Sequence, residues 1–205
     1  LPAMGTAAAR GRARDELPQS AAGRTIMTTE PKFIPETAVP LQLEGGGECR
    51  VRLIDCVGYM VEGAMGHEED DKPRMVKSPW FEEEVPFDLA AETGTRKVIC
   101  DHSTIGIVIT TDGTVSDIPR EGYAKTEKRV IEELDALGKP YLILLNSTHP
   151  DAPETKQLAE GMARDYQHAV LPVSCVDLDA AALGSILRQV LYEFPVRELD
   201  FALPR

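Results

Sequence analysis

The sequence predicts an α/β fold built as a three-layer sandwich, in which a mostly parallel sheet with an antiparallel edge strand lies between layers of helices. Two observations predict it. Across residues 104–194, apolar β-branched runs alternate with segments of helical periodicity, and this repetition favours parallel strands joined by helices. The runs are apolar at almost every position, which is typical of strands that are covered on both faces.

The first half of the chain contributes the antiparallel part of this fold. Residues 1–31 show little periodicity and predict an extended loop. Residues 32–43 contain two prolines and predict an edge strand, and after the glycine turn at 45–47 residues 51–54 predict its antiparallel partner. The polar, proline-containing stretch that follows, residues 56–87, predicts a long loop.

The second half supplies the helices and the buried strands. Asp88 is a good N-cap residue, so it predicts the start of a helix that runs to about Asp101. The later elements are a strand at 104–110, a helix at 121–137 ended by Gly138, a strand at 141–145, a helix at 154–166, a strand at 169–173 and a helix at 180–194.

The size, charge and composition of the chain exclude some classes of protein. A chain of 205 residues with 42% hydrophobic content can bury one sizeable core. Its net charge of −12 at pH 7 argues against a nucleic-acid partner. No apolar run approaches the ~20 residues of a transmembrane segment. The four cysteines form no CxxC pair, so we expect buried, reduced thiols in a cytoplasmic protein.

The strand at 51–54 leads directly into an Asp-x-x-Gly segment. In P-loop NTPases an Asp at this place, here Asp55, holds Mg²⁺ through its water shell. Gly58 lies where a backbone N–H can meet a γ-phosphate, and glycine allows the close approach. The pattern alone is weak, because an Asp that caps a turn and a Gly that forms one would produce the same letters.

Two further segments fit such a nucleotide site. Thr25, Thr28 and Thr29 lie in the loop before the edge strand, where a Thr of GTPase-like folds completes the magnesium shell, although such threonines are also common in ordinary turns. Asn146 ends a buried strand and begins the position of an N-K-x-D motif, but His149 replaces the Asp that reads guanine. Guanine specificity should therefore be lost. Ser174 matches the first residue of the S-A-K loop that contacts the base.

The phosphate-binding motif G-x-x-x-x-G-K-[ST] occurs nowhere in the sequence. We therefore expect a chain that begins after its own P-loop, so that the first strand and the P-loop of the domain are missing. Residues 1–31 then form a region like switch I, residues 32–196 the remainder of the nucleotidase domain, and residues 197–205 the start of a truncated following region.

Several runs together carry a family resemblance that covers about residue 10 to the end. They are residues 15–33 (DELPQSAAGRTIMTTEPKF), 55–59 (DCVGY), 102–106 (HSTIG), 110–114 (TTDGT), 129–134 (RVIEEL) and 191–196 (LYEFPV). These runs resemble the stage IV sporulation protein A family, the spore-coat morphogenetic ATPases of endospore-forming bacteria. The first run is the most specific, because it is long and unusual in composition.

The resemblance implies a domain related to translation-factor GTPases that uses ATP and Mg²⁺. Asp55 matches the family's magnesium-linked Asp, and Thr28 and Thr29 match its sensor threonines, with Thr28 a direct or water-mediated magnesium ligand. Hydrolysis would drive self-assembly of the spore-coat basement layer on the outer forespore membrane, within the mother cell. The implied partners are further copies of the protein, a small amphipathic membrane-bound sporulation peptide and other coat proteins.

An alternative remains open at this point, namely a catalytically inactive nucleotidase relic that serves as an interaction scaffold. A complete P-loop upstream of Leu1 would favour the ATPase, and a P-loop without its Lys would favour the scaffold. We expect residues 1–205 alone to be inactive and aggregation-prone. The strand before the P-loop would lie between the strands that end at Asp55 and Thr110, and its loss exposes two buried edges.

Overall fold

The computed structural model describes residues 32–42, 48–64, 68–69 and 72–195, and of residues 32–36 and 68–69 it describes the backbone. The described residues group into two compact units. The first contains those up to Ser103 together with Gly122–Val130, and the second contains Thr104–Glu121 together with those from Ile131 onward. The predicted regions at 1–31 and 197–205 lie outside the described residues.

The first unit begins with the predicted antiparallel hairpin, which is confirmed. Strand β1 (Lys32–Gln42) pairs with β2 (Glu48–Asp55) so that Lys32 lies opposite Asp55. The register shifts between Ile34 and Val39, a stretch that contains Pro35. Proline cannot donate to a strand ladder, so an irregularity at this point is expected.

The long loop predicted for residues 56–87 contains short strands. Strands β3 (Glu68–Glu69) and β4 (Lys72–Pro73) form one small hairpin, and β5 (Met75–Val76) and β6 (Val85–Pro86) form another. The second hairpin packs its two valines against buried Phe87, Ala90 and Ala91 of the following helix. These apolar contacts give order to a stretch that its polar composition marked as a loop.

Helix α1 (Phe87–Lys97) follows and continues into a π-helical turn, Val98–His102. The prediction that Asp88 caps this helix is wrong. The cap position belongs to Pro86, and the Asp88 carboxylate, inside the first turn, accepts the N–H of Leu89 at 2.9 Å. A proline fits this place because the first helical residues need no intrahelical N–H bond, and an Asp in the first turn still favours the helix dipole.

The second unit contains the predicted parallel strands. Strands β7 (Gly106–Thr111), β8 (Tyr141–Asn146) and β9 (Val170–Val173) form one parallel sheet in that order. Helices α2 (Arg120–Leu137) and α3 (Pro153–Tyr166) connect them, and α4 (Ala180–Tyr192) follows. Helix α2 ends at Gly138 as predicted, since this glycine adopts the left-handed conformation with φ 62°. Leu142 and Leu144 of β8 pack against buried residues of α4.

Strand β7 departs from the prediction that it is covered on both faces. Ile107 and Ile109 are 37% and 62% exposed. Among the described residues β7 pairs with β8 along one edge and with nothing along the other, and β1–β2 forms a separate sheet. The single mostly parallel sheet is therefore not seen in this part of the chain. An apolar pattern shows that a strand suits a covered position, but it does not show what covers it.

Two smaller expectations can also be compared with the structure. The four cysteines carry free thiols, as expected, but they are half-buried instead of fully buried. Within the described ranges, no helix has both the length and the apolar composition that crossing a membrane requires.

Candidate functional site

Asp55 is the last residue of β2, so the strand delivers its carboxylate at the carboxyl end, as predicted. The residue is half-buried, and within the described part of the chain no hydrogen-bond or ion-pair partner contacts its side chain. A carboxylate in that position loses part of its hydration without compensation, and the water shell of a cation would restore it. Among the described residues, no three or more His, Cys, Asp or Glu side chains are grouped so that they could hold a metal ion by themselves.

Gly58 forms the turn that follows, with φ 85° in the left-handed region that favours glycine. Its backbone contacts Thr95 of α1, a residue 37 positions later that is only 3% exposed. The Gly58 N–H donates to Thr95 Oγ1 at 3.0 Å, and the same hydroxyl donates to the Gly58 carbonyl at 3.3 Å. One buried side chain therefore satisfies both backbone groups of the residue predicted to meet a phosphate.

Cys56 lies in the same cluster. Burial raises the pKa of its thiol, the neighbouring Thr95 side chain and Gly58 backbone lower it in part, and the negative charge of Asp55 raises it again. The thiol therefore stays protonated at neutral pH. The protonated thiol is not a nucleophile.

Tyr59 and Met60, which follow Gly58, contact side chains from helices of the same unit. Thr126 Oγ1 donates to the Met60 carbonyl at 2.8 Å. The Arg129 guanidinium lies 5.2 Å from the centre of the Tyr59 ring and forms two hydrogen bonds, of 2.8 and 2.7 Å, with the Glu92 carboxylate. A bidentate pair of this kind fixes orientation as well as distance. The segment after Asp55 is thus held in a definite conformation.

At the carboxyl ends of the parallel strands, Asp112 forms the centre of a polar network. Its Oδ1 accepts the Thr114 N–H at 3.0 Å and the Thr114 hydroxyl at 2.6 Å, and its Oδ2 accepts the Thr155 hydroxyl at 3.2 Å. Burial would raise the pKa of this carboxyl, but the hydrogen bonds from Ser147, Thr114 and Thr155 outweigh it and lower the pKa. The network joins the loop after β7 to the start of α3.

Asn146 ends β8 and is positioned by the next strand end. Its Oδ1 accepts the N–H of Cys175 at 2.9 Å, while its Nδ2 has no partner among the described residues. Ser174, the other predicted base contact, donates its hydroxyl to Asp177 at 2.7 Å. Val176, which lies between Ser174 and Asp177 in the sequence, is 91% exposed. The structure therefore brings Asn146 and the Ser174 loop together, with an amide donor and an apolar side chain available.

His149 occupies the position that the guanine-reading Asp takes in an N-K-x-D motif. It is exposed, its N–H donates to the buried Ser147 hydroxyl at 2.9 Å, and its Nδ1 lies 2.9 Å from Thr148 Oγ1. The Thr148 N–H donates in turn to Thr114 Oγ1 at 3.0 Å. The loop is thus well fixed, and it presents an imidazole where a carboxylate would be needed to accept the two donors of guanine.

The predicted site residues therefore fall into three sets. Asp55 and Gly58 belong to the first unit, Asn146 and Ser174 belong to the second, and the predicted sensor threonines, Thr28 and Thr29, lie outside the described residues with Thr25.

Two residues with clear roles in these clusters were missed. Thr95 carried a weak signal, since it lies four residues after Ala91 on the buried side of a helix, where a hydroxyl needs a partner. Asp112 carried a stronger one, because Asp-x-Thr directly after a strand is typical of a side-chain-capped turn.

Comparison with known proteins relates the chain to one family. The family model described as stage IV sporulation protein A, ATPase domain, matches residues 1–195. Stage IV sporulation protein A of Bacillus anthracis is 52% identical over 195 residues, which is 95% of this chain and 40% of that protein. The proteins of the same name from Bacillus subtilis (strain 168) and Clostridioides difficile (strain 630) are 52% and 46% identical and are covered over 42% and 40% of their length. No solved structure matches the chain.

Proposed function

The chain belongs to the stage IV sporulation protein A family, and on that premise we propose that the full-length protein binds ATP with Mg²⁺ and hydrolyses it during sporulation. The observation that carries the proposal is the half-buried Asp55 carboxylate, which β2 delivers beside the Gly58 turn without a partner among the described residues. The chain spans about two fifths of its curated relatives, so the activity proposed is that of the whole protein.

Each site residue has a separate task in this proposal. Asp55 would hold Mg²⁺ through its water shell, and the ion would neutralise charge on the phosphate oxygens. Gly58 would offer its backbone N–H to the terminal phosphate. Thr28 and Thr29 would act as sensor threonines for that phosphate, with Thr28 a direct or water-mediated ligand of the ion. The Asn146 amide donates to the base, and the Ser174 loop holds the base through the exposed side chain of Val176.

We propose that the base is adenine. His149 replaces the carboxylate that pairs with guanine, and the Cys175 N–H, which could donate to an oxygen on the base, is already bonded to Asn146 Oδ1. Guanine presents an oxygen acceptor where adenine presents an amino donor. A loop whose backbone donor is already used therefore has less to offer guanine.

The same family membership supports a wider proposal about assembly. Hydrolysis drives self-assembly of the spore-coat basement layer around the forespore, in the mother-cell cytoplasm at the surface of the outer forespore membrane. The partners are further copies of the protein, a small amphipathic membrane-bound sporulation peptide and other coat proteins. The net charge of −12 at pH 7 supports a partner other than nucleic acid.

The test of hydrolysis uses the full-length protein and single-site variants. Asp55→Asn should abolish magnesium-dependent turnover with a smaller loss of nucleotide affinity. Asp117→Asn, the same change at an exposed residue, serves as the matched control and should hydrolyse ATP normally. The double variant Thr28→Ala, Thr29→Ala should bind ATP but hydrolyse it slowly, because sensor residues act mainly in the transition state. Parental turnover by Asp55→Asn would disprove the role assigned to Asp55, whereas a parent protein without magnesium-dependent turnover would favour the inactive scaffold.

Two further measurements test base choice and assembly. In competition binding, equal concentrations of ATP and GTP should leave mostly ATP on the protein, and a clear preference for GTP would contradict the adenine assignment. Sedimentation after addition of Mg²⁺ and ATP should show polymer for the parent and none for Asp55→Asn. Equal polymer in both would separate assembly from hydrolysis.

A further inference from the structure

The contact between Gly58 and Thr95 has a consequence for nucleotide binding. The single proton of the Gly58 N–H is already donated to Thr95 Oγ1 at 3.0 Å. The proposed function requires the same proton for a phosphate oxygen. A backbone N–H forms one good hydrogen bond, so the two acceptors exclude each other.

We propose that Thr95 is a positioning residue that competes with the terminal phosphate for the Gly58 N–H. The Thr95–Gly58 contact then holds the Asp55–Gly58 segment in its phosphate-free conformation, and ATP releases it while ADP does not. This inference rests on the proposed function and deepens it, because it assigns the ATP-dependent switch of that site to a residue of α1.

The exchange of partners is physically favourable. A hydrogen bond to a charged phosphate oxygen is roughly twice as strong as one to a neutral hydroxyl, so the phosphate displaces Thr95. Gly58 already adopts φ 85°, in the left-handed region that glycine enters without strain, and a Cβ placed on it would meet no atom within 4 Å.

The test compares two nucleotides on the full-length protein. Thr95→Val removes the hydroxyl and keeps the shape of the side chain, and Thr95→Ser keeps the hydroxyl and removes the methyl group. The probes are ADP and a non-hydrolysable ATP analogue, each with Mg²⁺, and calorimetry gives their dissociation constants. Thr95→Val should bind the analogue about 3- to 10-fold more tightly, as expected for removing one competing hydrogen bond. Its affinity for ADP should stay parental, and Thr95→Ser should resemble the parent with both nucleotides.

Several results would overturn this inference alone. Equal changes for ADP and the analogue, or weaker binding of the analogue by Thr95→Val, would mean that Thr95 merely supports the fold. Thr95→Ser behaving like Thr95→Val would assign the effect to the methyl group. If the parent protein binds neither nucleotide, the proposed function fails and takes the inference with it.

A measurement on the parent protein covers the case in which Thr95→Val does not fold. Hydrogen exchange of peptides from residues 87–103 should increase with the ATP analogue relative to ADP, because α1 loses its tie to Gly58. Identical exchange with the two nucleotides would overturn the proposal, whatever the variants do.

Discussion

Asp112→Asn should weaken the hydrogen-bond network at the carboxyl ends of the parallel strands. The carboxylate accepts two hydrogen bonds from Thr114 on one oxygen and one from Thr155 on the other. An amide oxygen can keep the bonds from Thr114. The amide nitrogen, however, would face Thr155 as a donor where an acceptor is needed, and the charge that strengthens all three bonds is lost.

The magnitude follows from those bonds. A hydrogen bond to a charged group contributes about 1.5–3 kcal/mol and a neutral one about 0.5–1.5 kcal/mol. Because Asp112 is half-exposed, solvent screens part of the difference, and we expect a total loss of about 1–2 kcal/mol. At 1.4 kcal/mol for each factor of ten, amides of β7 and the following loop should exchange about 5- to 30-fold faster.

Hydrogen-exchange mass spectrometry on the full-length protein provides the assay, with peptides from residues 106–118 and 141–155. Asp117→Asn is again the matched control, because it makes the same change in an exposed residue of the same loop and should leave exchange unaltered. If Asp112→Asn and Asp117→Asn exchange alike, the hydrogen-bond network does not stabilise the strand ends and the reasoning is refuted.

The pH dependence of this effect has a definite sign. The folded protein lowers the pKa of Asp112, so the ionised carboxylate stabilises the fold at any pH above the ordinary value of about 3.9. That stabilisation is lost as the pH falls through the lower folded-state pKa. The difference between the parent and Asp112→Asn should therefore be constant between about pH 5 and 7 and shrink below about pH 4.

Three other substitutions have expected outcomes in thermal unfolding. Tyr141→Phe removes a buried hydroxyl that donates to a carboxylate at 2.8 Å, and it should cost about 1–2 kcal/mol; an unchanged midpoint would contradict this. Gly113→Ala should lower the free energy of unfolding by about 2 kcal/mol or more, because φ is 92° and the new Cβ would lie 2.9 Å from a backbone nitrogen. Its control is Gly161→Ala in α3, where the nearest atom is 4.0 Å away and a gain of about 0.5–1 kcal/mol is expected. Arg129→Lys should cost no more than about 1 kcal/mol, since the bidentate bond to Glu92 is half-exposed.

Features decided by neighbouring residues could be predicted from the sequence. The fully apolar run that became β8 is buried along its length, and Gly138 stops its helix because a left-handed residue is needed there. The Asp55 carboxylate also lies where its pattern placed it, directly at the end of a strand. In each case the physical cause acts within a few residues of the chain, so the local sequence pattern is enough to predict the feature.

Features that depend on distant partners could not be predicted in this way. Thr95 acts on a glycine 37 residues earlier, and helical periodicity says nothing about what a buried hydroxyl contacts. Asp88 failed as a cap because the helix begins one residue earlier, at Phe87, where Pro86 already supplies a non-helical backbone conformation with φ −54° and ψ 142°. Isoleucine is usually buried, so Ile109 was expected in the core, but its exposure depends on which element packs beside it.

The uncovered side of β7 bears on how the protein behaves while it is being made. The strand reads Gly-Ile-Val-Ile-Thr-Thr and has neither the lysine nor the proline that commonly protects a sheet edge from sticking to another chain. Among the described residues nothing pairs with that edge, so a strand that adds there gains a ladder of backbone bonds and hides Ile107 and Ile109 from water. During synthesis, when many copies of the protein are present, pairing of this edge with a strand of another copy would lead to aggregation.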